Sequence, residues 1–223
     1  MAKLKTEDKK ELPNYLILPE TASHPDLLIA EEVTYHNHTY KKTHELLKQR
    51  NIFDDMRFIL PPNLFVEFLK MCRTGKAFNE LGKKVNPKRL ENLLEERLSK
   101  RDPERSEWLN HEYSLEFGTL QVSYPKFVNG KLIKITEPLD EDTFIGDVAL
   151  EKNDIEILED WLNNSTSQGL PRKSIQKYLS NSFSRAVPFF SADSRYVGIC
   201  FSMHPENSHD WRGVRPAKIL KNS

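Results

Sequence analysis

Residues 113–135, YSLEFGTLQVSYPKFVNGKLIKI, leave the chain little choice of local structure. Leu115 and Phe117, then Leu120, Val122 and Tyr124, recur at every second position. That is the period of a strand with one face in a core. Asn129-Gly130 then supplies the strongest short hairpin signal, because both residues tolerate positive φ. The stretch predicts a β-hairpin or three-stranded meander, so any fold must accommodate antiparallel sheet.

Helical periods flank this block. Phe58, Ile59 and Leu60 form an apolar run that Pro61-Pro62 must stop, since proline cannot donate a ladder hydrogen bond. Asn63 is then read as an N-cap. Phe65, Phe68, Leu69 and Cys72 follow at helical spacing, and Gly75 marks the end. Leu90, Leu93, Leu94 and Leu98 give a second amphipathic helix. A third is expected from an Asp154 cap, with Ile157, Leu158, Trp161 and Leu162 inward and Gly169 and Pro171 as stops. RAVPFFSADSRYVGICFS and RGVRPAKIL read as further strands. Strand, helix, helix, antiparallel strands, helix, antiparallel strands is an α+β order with a mostly antiparallel sheet and two to three helices. Trp108 and Trp161 have apolar neighbours and are expected in the core.

Ahead of Met56 the texture differs. The first 12 residues are rich in Lys, Glu and Asp and lack an apolar face. Asn14–Glu20 reads as a lone strand. Residues 21–55 read as an appendage that begins extended and ends as a short helix anchored by Leu46 and Leu47. The N-terminus lacks a run of signal-peptide length, which predicts a cytoplasmic location, and no segment reaches the roughly 18–20 apolar residues of a membrane span. Thirty-three basic and 33 acidic residues cancel. No global pull toward nucleic acid or an anionic membrane is expected. Cys72 and Cys200 are too far apart in sequence for a zinc spacing or a disulfide framework, and both are expected as free thiols.

Chemistry-bearing clusters are few. His36, His38 and His44 crowd YHNHTYKKTH, but no third ligand type stands at metal spacing, and the ββα-metal arrangement that the letters H-N-H would need is missing. HPENSHD offers His204, Glu206, His209 and Asp210 without the glycine-centred alternation of a calcium loop. There is no nucleophile elbow, phosphate-cradling loop or dinucleotide fingerprint. No catalytic residue, metal or cofactor is expected.

The C-terminal stretch SRYVGICFSMHPENSHDWRGVRPAKIL is different. Phe190, Ala192, Val197, Ile199, Phe201, Pro205, Gly213, Val214 and Arg215 read as positions that keep a fold. Between them stand Ser191, Asp193, Arg195, Tyr196, Gly198, Cys200, Ser202, His204, Asn207, His209 and Asp210, a mixture that does little for a core but suits an adaptable contact surface. The strand holding Val197–Phe201 is expected to pair antiparallel with the one holding Val214–Ile219.

RAVPFFSADS followed by WRGVRPAKI at the chain end resembles the end of the C-type-lectin-like fold, in its formylglycine-generating-enzyme branch. More narrowly it resembles the variable proteins targeted by diversity-generating retroelements, and FILPPNLFVEFLKM, RSEWLNHEYSLEFGTLQVSY and LEDWLNNSTSQGLP extend the likeness over residues 56–220. The resemblance implies a C-type-lectin-like domain over residues 56–223, with residues 1–55 outside it and a variable region at about 185–220. It implies a non-enzymatic binding protein. Its surface would use the polar positions named above, each of a residue type that adenine-directed mutagenesis reaches, with Tyr196 and Trp211 as aromatic anchors. A protein partner is expected first and a carbohydrate second. The same resemblance leaves two alternatives: an oxidase of the formylglycine-generating type, which would need Cys72 and Cys200 to meet around copper, and a structural or virion component.

Overall fold

The computed structural model describes residues 14–49, 57–100, 102, 104–143, 147–149, 155–172, 179–180, 187–192, 197–208, 210 and 212–220. The N-terminal tail and the Asp154 cap lie outside them. Two hairpin strands open the chain, β1 (Tyr15–Leu18) and β2 (Leu27–Ala30), followed by α1 (Tyr40–Gln49), β3 (Arg57–Ile59), α2 (Pro62–Thr74), β4 (Phe78–Asn79) and α3 (Pro87–Leu98). Next come β5 (Arg105–Trp108), β6 (Glu112–Glu116), β7 (Thr119–Val128), β8 (Lys131–Pro138), β9 (Asp147–Ala149) and α4 (Ile155–Asn163). The chain closes with β10 (Leu179–Ser180), β11 (Val187–Ala192), β12 (Val197–Met203), β13 (Arg212–Gly213) and β14 (Pro216–Ile219). The fold is α+β and mostly antiparallel; the described residues hold four helices, α1 at the end of the segment expected to finish as a short helix and α2, α3 and α4 beyond residue 56.

The strands form a five-stranded sheet in the order β3-β14-β2-β1-β4, a six-stranded sheet β10-β9-β12-β11-β5-β13, and the meander β6-β7-β8. The meander is the element the sequence announces most clearly. Val128 pairs with Lys131 across Asn129-Gly130, whose φ values of 50° and 72° are those of a two-residue hairpin turn. Phe117 departs from the alternation. Glu116 pairs with Thr119, so Phe117-Gly118 is itself a turn, and Phe117 stands fully exposed at φ 49°.

The two C-terminal strands do not pair with each other. β12 lies between β11 and β9 in the six-stranded sheet, whereas β14 lies between β2 and β3 in the five-stranded one. The physical reason sits in residues 14–30, which the sequence sets aside as an appendage. YLIL and LLIA are short, but nearly every residue in them is buried. A strand covered on both faces needs neighbours on both edges, and β14 supplies one of them. β1 and β2 are therefore inner strands of a sheet rather than a peripheral addition. Leu47 of α1 is buried as expected, with Leu46 only partly so.

The main core joins all three sheets and three helices. Leu16, Leu27 and Ile29 meet Phe65, Phe68 and Leu69 of α2, Leu90 and Leu94 of α3, Trp161 of α4, Tyr113 and Val122 of the meander, and Phe190, Ile199 and Phe201 of the six-stranded sheet. Trp161 stacks on Phe201 with ring centroids 6.2 Å apart, and it and Trp108 are buried as expected. Each such aromatic contributes about 1.5–3 kcal/mol by leaving water. Asn63 does not cap α2. Pro62 occupies the first turn, where its missing N–H costs nothing, and Asn63 packs against Gly169 instead. Gly75 ends the helix in the left-handed conformation, as its position predicts. No helix among the described residues is long and apolar enough to cross a membrane.

Candidate functional site

Strand register sorts the six-stranded sheet into two faces, because paired residues share a side and neighbours along a strand do not. Phe190 pairs with Ile199 and with Glu107, and Gly213 also pairs with Glu107. These residues face the main core. Among the described residues Glu107 is the only buried carboxylate, and both its oxygens accept hydrogen bonds. Arg215 donates from Nε to Oε2 at 3.1 Å and from Nη2 to Oε1 at 2.9 Å; Arg97 of α3 donates to Oε1 at 2.9 Å. Burial pushes the Glu107 pKa up, but Arg215 and Arg97 outweigh it and hold the carboxyl below its ordinary range. Arg215 also donates to the Ala30 carbonyl, so this cluster joins β2, α3, β5 and the crossing from β13 to β14.

The opposite face carries Phe189, Ser191, Gly198, Cys200, Ser106, Trp108 and Arg212. The Arg212 guanidinium lies 4.6 Å from the Trp108 ring centroid and 4.3 Å from that of Phe189. Its Nε and Nη1 are buried without a hydrogen-bond partner among the described residues. Burial lowers its pKa to about 10, so it stays charged at neutral pH. Glu104 accepts hydrogen bonds from the hydroxyls of Ser106 and, at 3.0 Å, Ser191. Trp108 donates to the His38 carbonyl at 3.2 Å, and Tyr40 packs edge-on against its ring.

Between β12 and β13 the chain turns out into solvent. His204, Glu206, Asn207, Ser208 and Asp210 are exposed, and the loop is shaped by Asn207 N–H donating to the His204 carbonyl at 3.0 Å. Glu206 reaches Lys41 of α1 at 3.6 Å. Pro205 and Glu206 form part of the wall of a cavity of about 500 Å³. Its other walls come from α1 (Tyr40, His44, Leu47, Lys48), β3 (Phe58) and the meander (Tyr124, Leu132, Ile133, Lys134). Tyr40 donates to Asn110 Oδ1 at 2.9 Å on one side of it.

The expected surface is thus divided. His204, Asn207 and Asp210 are exposed together on the loop, while Ser191, Gly198 and Cys200 are buried within the sheet. Asp193, Arg195, Tyr196, His209, Trp211 and the side chain of Ser202 lie outside the described residues. The histidines of YHNHTYKKTH do not converge. His36 donates to the Val33 carbonyl, and His44 packs edge-on against Tyr40. No three His, Cys, Asp or Glu side chains gather as metal ligands among the described residues. Cys72 and Cys200 belong to different apolar clusters, and burial pushes the Cys72 thiol up to about 12, so the copper reading loses its ligand pair.

Sequence reasoning missed Arg212, Ser106 and Glu104, and it missed the cavity. Arg212 stood in WRGVRPAKI between two residues already assigned, and only the parallel pairing of β13 with β5 brings it over Trp108. The cavity gathers residues from three distant segments and had no local signal. No family model, curated protein or solved structure matches this chain.

Proposed function

We propose that this chain is a non-enzymatic binding protein whose recognition surface is the β12–β13 loop and the ends of the strands that carry it, as in the C-type-lectin-like target proteins of diversity-generating retroelements. One observation carries the reading. His204, Asn207 and Asp210 project into solvent from a loop whose two ends are fixed in a single six-stranded sheet, and that sheet has a packed core on its other face. A rigid base with exposed, chemically mixed side chains is what an exchangeable contact surface requires. A protein is the favoured partner, since the loop offers hydrogen-bonding and charged groups over an open face. Ser191, Gly198 and Cys200 would tune the shape of that base from within.

Two measurements test this. The DNA flanking the gene should contain a near-copy of the segment encoding the last strands, differing at adenines only, beside a reverse-transcriptase gene; its absence overturns the retroelement assignment. The binding reading itself is tested by randomising residues 204, 207 and 210 in a displayed library. The library should stay folded and yield binders to an arbitrary globular protein such as lysozyme. A library that is mostly unfolded would show these positions to be structural.

A further inference from the structure

We propose that the cavity between α1, β3 and the meander is a binding site for a small amphipathic organic anion, a carboxylate carried on an apolar chain. A volume of about 500 Å³ lies within the roughly 300–1,000 Å³ of small-ligand pockets. Leu47, Phe58, Leu132 and Ile133 give it apolar walls. Among the described residues that line it, three lysines, Lys41, Lys48 and Lys134, stand with two carboxylates, Glu112 and Glu206. Lys134 is 3.3 Å from Glu112 and Lys41 is 3.6 Å from Glu206. Lys48 has no carboxylate partner among the described residues. His44 lines the same cavity, and its pKa is lowered to about 4, by burial first and then by the charges of Lys48 and Lys134. The cavity thus presents an uncharged imidazole, two ammonium groups and apolar walls, and an arriving anion meets attraction with no carboxylate among the described residues to displace from Lys48. A cationic head would meet the reverse. Only Pro205 and Glu206 of the recognition loop touch the cavity, so the site does not rest on the loop's proposed role.

The test is calorimetric titration of the full chain at neutral pH with octanoate, octanol and octyltrimethylammonium, each below its micelle concentration. Octanoate should bind one site, with octanol about tenfold weaker or more and the ammonium weaker still. Lys48→Ala with Lys134→Ala should bring octanoate down to the level of octanol. Ile133→Glu should abolish binding of both; Ile133 is 41% exposed, so this variant keeps its melting temperature. The combined alanine variant of His204, Asn207 and Asp210 should bind octanoate unchanged, which separates this site from the loop. No octanoate binding, equal binding of the three amphiphiles, or an anion preference that survives in the lysine variant would each overturn the proposal.

Discussion

Glu107 and Ser106 are neighbours on β5 and face opposite sides of the same sheet, and their surroundings differ in kind. On the core side the buried charges close on one another, with one carboxylate held between two guanidinium groups at hydrogen-bonding distance. On the other side an equally buried guanidinium, Arg212, lies against two aromatic rings with two of its nitrogens unbonded among the described residues. The first arrangement fixes where three segments meet. The second tolerates exchange, because ring faces attract a cation without demanding one geometry. Glu104, Ser106 and Ser191 are linked on that same side.

The largest effect should therefore come from the closed side. Glu107→Gln leaves Arg97 and Arg215 buried without a counter-charge, and breaking a buried pair in this way costs about 3–5 kcal/mol. With total stabilities of roughly 5–15 kcal/mol, urea denaturation should show a large drop in midpoint or an unfolded protein. A loss under about 1 kcal/mol would mean that water reaches the cluster and that the two faces do not differ as described.

Acid separates the Glu107 cluster from a second buried group at the junction of β5 and β6. His111 donates from Nε2 to the Gln168 carbonyl at 2.8 Å, and its ring stacks on Tyr124. Burial lowers its pKa to about 4. Since the folded pKa lies below the unfolded value of about 6.5, the unfolded chain binds the proton first as pH falls. The stability held above pH 6.5 is lost between there and about 4. A gap of about two and a half pH units at roughly 1.4 kcal/mol apiece is on the order of 3 kcal/mol. Glu107 also has a lowered pKa, but for a carboxyl that stability is lost only below the ordinary carboxylate range. His24 shifts the other way: despite burial, its contact with Glu67 raises its pKa, so it gains stability as pH falls. The clean measurement is the difference between the parent and His111→Phe across this range. A parent curve parallel to the variant's would show that His111 is solvated.

How much of this was readable from the sequence depends on how local each feature is. The meander, α2, α3, the free cysteines and both core tryptophans follow from spacing within a few residues. β1 does read as a strand, but its inner place in a sheet does not, and β2 does not read at all, because four-residue strands buried on both faces show no alternation. The separation of β12 from β14 could not be read either: it follows from β14 pairing with β2, far away in sequence, and Arg215 anchors the crossing through Glu107, 108 residues away. The exposed loop residues were named from their chemistry, and the buried Ser191, Gly198 and Cys200 were named with them because polar and small residues look alike in sequence whether or not a sheet covers them.

The junction between the faces is sharpened by Gly213. A Cβ there would stand 2.6 Å from the Thr34 carbonyl oxygen and 2.6 Å from Val33 Cγ1. Thr34 and Val214 exchange two backbone hydrogen bonds of 2.8 Å, so the contact cannot open freely. Gly213→Ala should cost about 1–3 kcal/mol, the range for overpacking a tight site. A variant as stable as the parent would show that residues 33–34 move aside and that β13 is less firmly placed than β14.

The smallest effect should come from Arg212→Met. The side chain keeps its apolar stem between Trp108 and Phe189, so packing is retained. What is lost is attraction to two ring faces, up to about 2 kcal/mol for a desolvated cation. What is gained is relief from burying a guanidinium that lacks hydrogen bonds on two nitrogens, a penalty of similar size. The two nearly cancel, and urea denaturation should place the variant within about 1 kcal/mol of the parent. Arg215→Met, three residues on, exposes no such cancellation, since Glu107 would keep only Arg97; it should be clearly the less stable of the pair. If Arg212→Met instead costs as much as Arg215→Met, then Arg212 has a carboxylate partner in the folded protein, and charge is paired on both faces of the sheet alike.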